Sequence, residues 1–188
     1  MKKLVGLLAL LISTFSYTQT VQDFTLTNVV DGRLVSLSGF TNCTGLVLVF
    51  TSNACPFDDY YRDRLRELVN QYQGQIQFVL VNASTEPEES AAQMKTAYSQ
   101  WNIPVPYLAD KDQVAMECVG ARKSPEVFLL KNNKGSFQQV YHGAIDDNPQ
   151  VASDVSQSYL KESMDQLLSG RGVTQPSVRA VGCAIRKK

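Results

Sequence analysis

Residues 45 to 51, GLVLVFT, form a short run of β-branched, aliphatic and aromatic residues that opens on a glycine. A run this short and this uniformly apolar reads as a strand buried on both faces rather than as one half-exposed to water. Such a strand needs a covering layer on each side, and the chain supplies the first cover at once. From Pro56 onward the apolar positions Phe57, Tyr60, Tyr61, Leu65, Leu68, Val69 and Tyr72 recur at spacings of three and four, which predicts a helix from Pro56 to about Tyr72. Asn53 is a candidate cap, and Pro56 suits a first helical turn because it has no N–H to leave unpaired. Cys55 therefore stands where a buried strand hands over to a helix N-terminus.

The remaining elements alternate. Residues 76 to 84, IQFVLVNAS, read as a second apolar strand, and residues 87 to 101 as a helix with proline and acids in its first turn. The stretch NIPVPYLADKD is expected to be extended and turn-rich, since each proline biases its predecessor away from helix. Residues 110 to 120 read as a short helix ended by Gly120. EVFLL at 126 to 130 and SFQQVYHGAI at 136 to 145 flank NNKG, a hairpin sequence. Residues 151 to 168 are expected to form a closing helix on Val155, Tyr159, Met164, Leu167 and Leu168. Ahead of all these, residues 21 to 44 alternate apolar and polar around Asp31-Gly32, which predicts a β-hairpin. The sum is an α/β domain over residues 21 to 168, with a central mixed sheet flanked by helices and an N-terminal hairpin. The tail, 169 to 188, offers little beyond Val181, Cys183 and Ile185 to pack, and is either a loose end or an arm returning to the body.

The first twenty residues carry Lys2 and Lys3 ahead of about a dozen apolar residues. This is the plan of a signal peptide, with cleavage expected between Ser16 and Thr20, so the mature protein is expected to be periplasmic or secreted and not membrane-spanning. Eighteen basic and eighteen acidic residues leave no net charge, and no basic stripe interleaves with aromatics. Nucleic acid is therefore not an expected partner. No cysteine or histidine pair has zinc spacing, so neither a metal nor another cofactor is expected.

The cysteines carry the chemistry. At a helix N-terminus, unpaired N–H groups and the positive end of the helix dipole favour a thiolate, the attacking species in thiol exchange. Asp58 and Asp59 act against this, because nearby negative charge disfavours a second anion. Cys43, Cys55, Cys118 and Cys183 allow three complete pairings, and an exported protein meets an oxidising compartment in which disulfides persist. Cys183 either resolves an oxidised Cys55 or pins the tail through Cys43 or Cys118. Cys118, on the apolar side of its short helix, reads as a core residue. His142, the sole histidine, reads as a strand-end residue, with a base or copper ligand as the alternative; Asp146 and Asp147 read as turn residues.

A strand leading to ACPFD at 54 to 58, and Lys123-Ser124-Pro125-Glu126 just before a later strand, resemble the thioredoxin superfamily. NACPFDDYYRDRL, SPEVFLL, YHGAIDDN and the closing VGCAI are similar to peroxiredoxin-like, single-cysteine redoxins related to the alkyl hydroperoxide reductase and thiol-specific antioxidant proteins. The resemblance implies a thioredoxin-like fold, a redox role for Cys55, and a cis-proline at Pro125 lying across from it. The backbone before that proline would be free to pair with an extended partner. It implies a thiol, disulfide or peroxide substrate, with a peptide-holding module that lacks catalysis as the alternative. The chain departs from the dithiol pattern at one place: Cys55-Pro56-Phe57-Asp58 has a carboxylate where a second cysteine would stand.

Overall fold

The computed structural model describes residues 19–188. All but the last two residues of the expected signal peptide lie outside the described residues. The hairpin is formed by β1 (Thr25–Asn28) and β2 (Leu34–Ser36), antiparallel with Leu26 opposite Val35. Next come β3 (Gly45–Phe50), α1 (Pro56–Gln71), β4 (Ile76–Asn82) and α2 (Ala91–Trp101). Then follow β5 (Tyr107–Ala109), α3 (Val114–Val119), β6 (Lys123–Ser124), β7 (Glu126–Asn133) and β8 (Ser136–Gly143). The chain closes with α4 (Tyr159–Leu168), β9 (Ser177–Val178) and β10 (Cys183–Ala184).

Eight strands form one sheet in the order β2-β1-β5-β4-β3-β7-β8-β9. β3 lies near its middle, parallel to β4 and antiparallel to β7, and all six of its residues are buried. Its side chains divide the core. Val47 and Val49 point to one face with Tyr61 and Leu65 of α1, Met94 of α2 and Leu160 and Met164 of α4, whereas Leu46, Leu48 and Phe50 point to the other with Ala115 and Met116 of α3. Fully burying each such side chain contributes about 1.5–3 kcal/mol, so the two-faced β3 fixes the layer order.

Several local expectations are corrected. The N-cap of α1 is Cys55, not Asn53, and its own side chain makes no capping bond. α2 starts at Ala91, where the Ser90 hydroxyl accepts from the Gln93 N–H; residues 87–89 form a separate 3-10 turn. The turn-rich stretch after α2 contains a strand, β5, because its backbone bridges β4 and β1. The closing helix begins only at Tyr159. Before it, Asn148 Oδ1 accepts from the N–H groups of Gln150 and Val151, and Asp147 Oδ1 accepts from that of Ser156. Short polar side chains bound to neighbouring backbone in this way hold a loop against helix formation, and Val155 belongs to that loop.

The tail is an arm that returns to the body. β9 pairs parallel with the edge of β8, and the approach is close: a Cβ on Gly143, which has φ of +127°, would lie 1.6 Å from the carbonyl oxygen of Val178. Five residues beyond β9, β10 pairs antiparallel with β6, setting Cys183 opposite Ser124. Among the described residues no helix is long and apolar enough to cross a membrane.

Candidate active site

Cys55 is buried at the N-terminus of α1, and its sulfur is bonded to that of Cys183, 128 residues further on. The single-cysteine reading is thereby corrected: Cys55 is paired with a second cysteine, brought from the tail instead of from the next helical turn, and Cys183 is bonded to neither Cys43 nor Cys118. The Ser124-Pro125 peptide is cis. The Ser124 carbonyl oxygen lies 3.1 Å from Cys55 Sγ. A disulfide sulfur has no proton, so in this oxidised state the approach is a contact; a reduced Cys55 thiol in the same place donates a hydrogen bond to that oxygen.

Asp58 stands three residues after Cys55, at the sequence position of the dithiol pattern's second cysteine. Fully buried, its carboxyl accepts from the Thr51 hydroxyl at 2.6 Å and the Ser124 hydroxyl at 2.5 Å. Burial pushes its pKa up to about 6, against the opposing pull of both hydroxyls and of the Arg62 guanidinium. Arg62, one turn along α1, donates to the Thr51 hydroxyl and to the Ser52 carbonyl, and its guanidinium carbon lies 3.3 Å from the ring centroid of Trp101.

The raised Asp58 pKa has a definite sign in stability. Between the unfolded value of 3.8 and about 6 the folded state binds more protons than the unfolded chain, so stability falls as pH rises through that window. The loss attributable to this group is about 3 kcal/mol by neutral pH. Asp58→Asn removes it. Chemical denaturation from pH 4 to 7 is expected to show the variant gaining on the parent by about that amount, and parallel curves would refute the assignment.

A second buried carboxylate, Glu89, was not singled out in the sequence reading. It accepts from the N–H groups of Asn53 and Ala54, both at 3.0 Å, from Asn82 Nδ2 at 2.7 Å, and from the Ser52 hydroxyl. It thus clamps the loop from β3 to Cys55. Asn82 also accepts from Lys111 Nζ, whose pKa burial pushes down to about 8. No sequence spacing links Glu89 to Cys55; only the parallel pairing of β3 and β4 brings their trailing loops together.

The other candidates lie elsewhere. His142 sits on β8 with its ring stacked on Phe128 and does not line the cleft at Cys55. Asp146 makes the expected turn by accepting from Asn148 N–H, and in addition forms a buried ion pair with Arg64 and accepts from Tyr61 Oη. Asp147 is exposed, its side chain holding the loop before α4. Cys43 and Cys118 are free, and Cys118 is half-buried against the core instead of inside it. Burial raises both thiol pKa values, which makes each a poorer nucleophile than an unshifted thiol. Among the described residues no cluster of three or more histidine, cysteine or acidic side chains is placed to hold a metal ion. The cleft beside the disulfide measures about 440 Å³ and is lined by Ser124, Cys183, Ile185, Glu86, Glu88 and Glu89 among others.

A search of curated proteins finds no match. Among solved structures, an uncharacterized conserved protein from Geobacillus kaustophilus is 29% identical, with a TM-score of 0.83 over 98% of each chain. A hypothetical protein from Sinorhizobium meliloti is 28% identical, with a TM-score of 0.82 over 94% of this chain and 97% of that one. The likeness therefore takes in the returning arm. A secreted disulfide oxidoreductase of Mycobacterium tuberculosis, 19% identical with a TM-score of 0.51 over 60% of this chain and 79% of its own, shares the fold. The AhpC/TSA family matches residues 17–140, well over half the chain, and the protein belongs to that family of thioredoxin-fold proteins.

Proposed function

We propose that the protein is an exported thiol-disulfide oxidoreductase whose redox pair is Cys55 and Cys183. One observation carries the reading: an extended segment bearing a cysteine lies antiparallel on Ser124, the residue before cis-Pro125, with its sulfur joined to Cys55. That is the arrangement a mixed disulfide with an extended partner requires. In the reduced protein the Cys55 thiolate, favoured by the N-terminus of α1, attacks a partner disulfide and expels one partner thiolate. The Cys183 thiolate then attacks Cys55 Sγ in the mixed disulfide, releasing the second partner thiolate and closing Cys55–Cys183. Lys2, Lys3 and the apolar run behind them support export, to a compartment where such a disulfide persists.

Membership of the AhpC/TSA family favours a second reading, in which peroxide oxidises Cys55 to the sulfenic acid and Cys183 condenses with it, releasing water.

Cys183→Ser tests both. Treated with a small aromatic disulfide, the reduced variant is expected to hold one stable adduct on Cys55 by intact mass, while the parent releases its adduct and closes the disulfide. Treated with hydrogen peroxide, it would carry a trappable sulfenic acid only under the second reading. A folded variant that takes up neither reagent at Cys55 refutes redox chemistry there and leaves a binding module.

A further inference from the structure

The residues around Cys183 do more than deliver a sulfur. Gly182 passes so close to the cis-proline that a Cβ there would lie 2.3 Å from the Ser124 carbonyl oxygen and 3.0 Å from Pro125 N. Cys183 and Ala184 pair with Ser124 and Lys123, and the Ile185 N–H continues the ladder to the Arg122 carbonyl at 2.9 Å. The Ile185 side chain packs, half-buried, on the core face that holds α3. Arg186 reaches Glu86, and its carbonyl accepts from the buried Gln113 amide at 2.7 Å. The segment thus presents a glycine, a cysteine, a small residue, a branched apolar residue and a cation, each met by a matching feature of the body.

Apart from the disulfide, the segment is held by a ladder over Cys183, Ala184 and Ile185, by the Ile185 side chain, by the Gln113 side chain and by the Arg186–Glu86 and Lys188–Asp112 ion pairs, which are exposed and of a class worth about 0–1 kcal/mol each. Each of these is a reversible contact that an untethered peptide of the same sequence can also make. From this we infer that residues 182–186 are a tethered occupant of the strand-pairing site at Lys123-Ser124, and that the site, once vacated, takes an extended peptide of the same pattern from a partner protein. The pattern is a glycine before cysteine, an apolar residue two positions after it, and a basic residue facing Glu86. The inference rests on the redox pair proposed above, because reduction is what vacates the site. A dithiol reductant gives up two electrons and two protons and closes to its own disulfide; the Cys55–Cys183 bond breaks, and each sulfur takes a proton. Tail and partner then compete for one backbone edge, so the return of Cys183 coincides with departure of the partner strand.

The test uses a fluorescent peptide of residues 180 to 188 carrying Cys183→Ser, followed by anisotropy against the full-length protein. The oxidised parent is expected not to bind it. Full-length Gly182→Val, whose own tail is excluded by the contact with Ser124, is expected to bind it roughly tenfold or more tightly than the reduced parent, where the tethered tail competes. A peptide that also carries Arg186→Glu should bind more weakly. Equal binding by the oxidised parent and Gly182→Val, or no binding by a folded Gly182→Val, overturns the inference. Should Gly182→Val not fold, amide exchange on the parent decides: reduction is expected to remove protection at Ile185, whose N–H donates to the Arg122 carbonyl, and retained protection refutes release. The peptide has no thiol, so its binding is independent of electron transfer. Failure of Cys183→Ser to take up a disulfide reagent would therefore count against the redox pair without touching this result.

Discussion

Dithiothreitol is expected to lower the melting temperature of the protein by roughly 10–20 °C and to leave it folded at room temperature. The disulfide joins residues 128 positions apart and so ties most of the chain into one loop. Cutting a loop of that length restores chain entropy to the unfolded state worth about 5 kcal/mol, and a chain of this size loses about 2–4 °C per kcal/mol. The folded state survives because its main ladders, β3 with β4 and β3 with β7, and both core clusters are built without the tail. Cys183→Ser is expected to melt where the reduced parent melts and to ignore the reductant. A parent that melts alike with and without dithiothreitol would mean that the unfolded chain feels no constraint, and that the bond is absent in solution. The same thermodynamic cycle runs the other way: whatever stability the bond gives the fold, the fold gives the bond, so only a reductant strong enough to exceed that coupling opens it.

The layer order was legible because it rests on periodicity. GLVLVFT has an apolar residue at nearly every position, and a strand with that pattern has one stable place, between two covering layers. The Cys55-Pro56 junction and the Ser124-Pro125 site were also legible, since proline restricts backbone geometry locally. What local chemistry decides against periodicity was misread. Val155 lies on the apolar face of an ideal helix, yet Asp147 and Asn148 tie the preceding backbone into a loop. β5 was hidden because prolines 104 and 106 mark turns whatever follows them, and its strand character comes from two neighbours that sequence cannot see. The path of the arm was left open for the same reason. Its pairing of Cys183 with Ser124 depends on the space beside Gly182, a property of the assembled site and not of either segment.

Glu89 is the sharpest case of that limit, and replacing it by alanine is expected to cost roughly 3–5 kcal/mol, or about 6–20 °C in melting temperature. In the sequence it is one acid among three in EPEE, with nothing to separate it from Glu86 or Glu88. In the fold it is buried, and four donors converge on it: two backbone N–H groups of the Cys55 loop, the Ser52 hydroxyl and the Asn82 amide. Hydrogen bonds to a charged acceptor contribute about 1.5–3 kcal/mol each, and a buried donor left unpaired costs about 1–3 kcal/mol; the loss stays below the sum because water reaches the exposed Ala54. Glu89→Gln is expected to fall between parent and alanine, since its amide nitrogen turns a donor toward donors. Glu88→Ala, at an exposed neighbour lining the same cleft, should melt with the parent. The loop that Glu89 clamps ends on Cys55, so in the reduced state Glu89→Ala should also speed alkylation of Cys55 well below its melting temperature. A variant that melts with the parent would show that the loop finds other partners and that the position of the thiol is set by α1 and Asp58 alone.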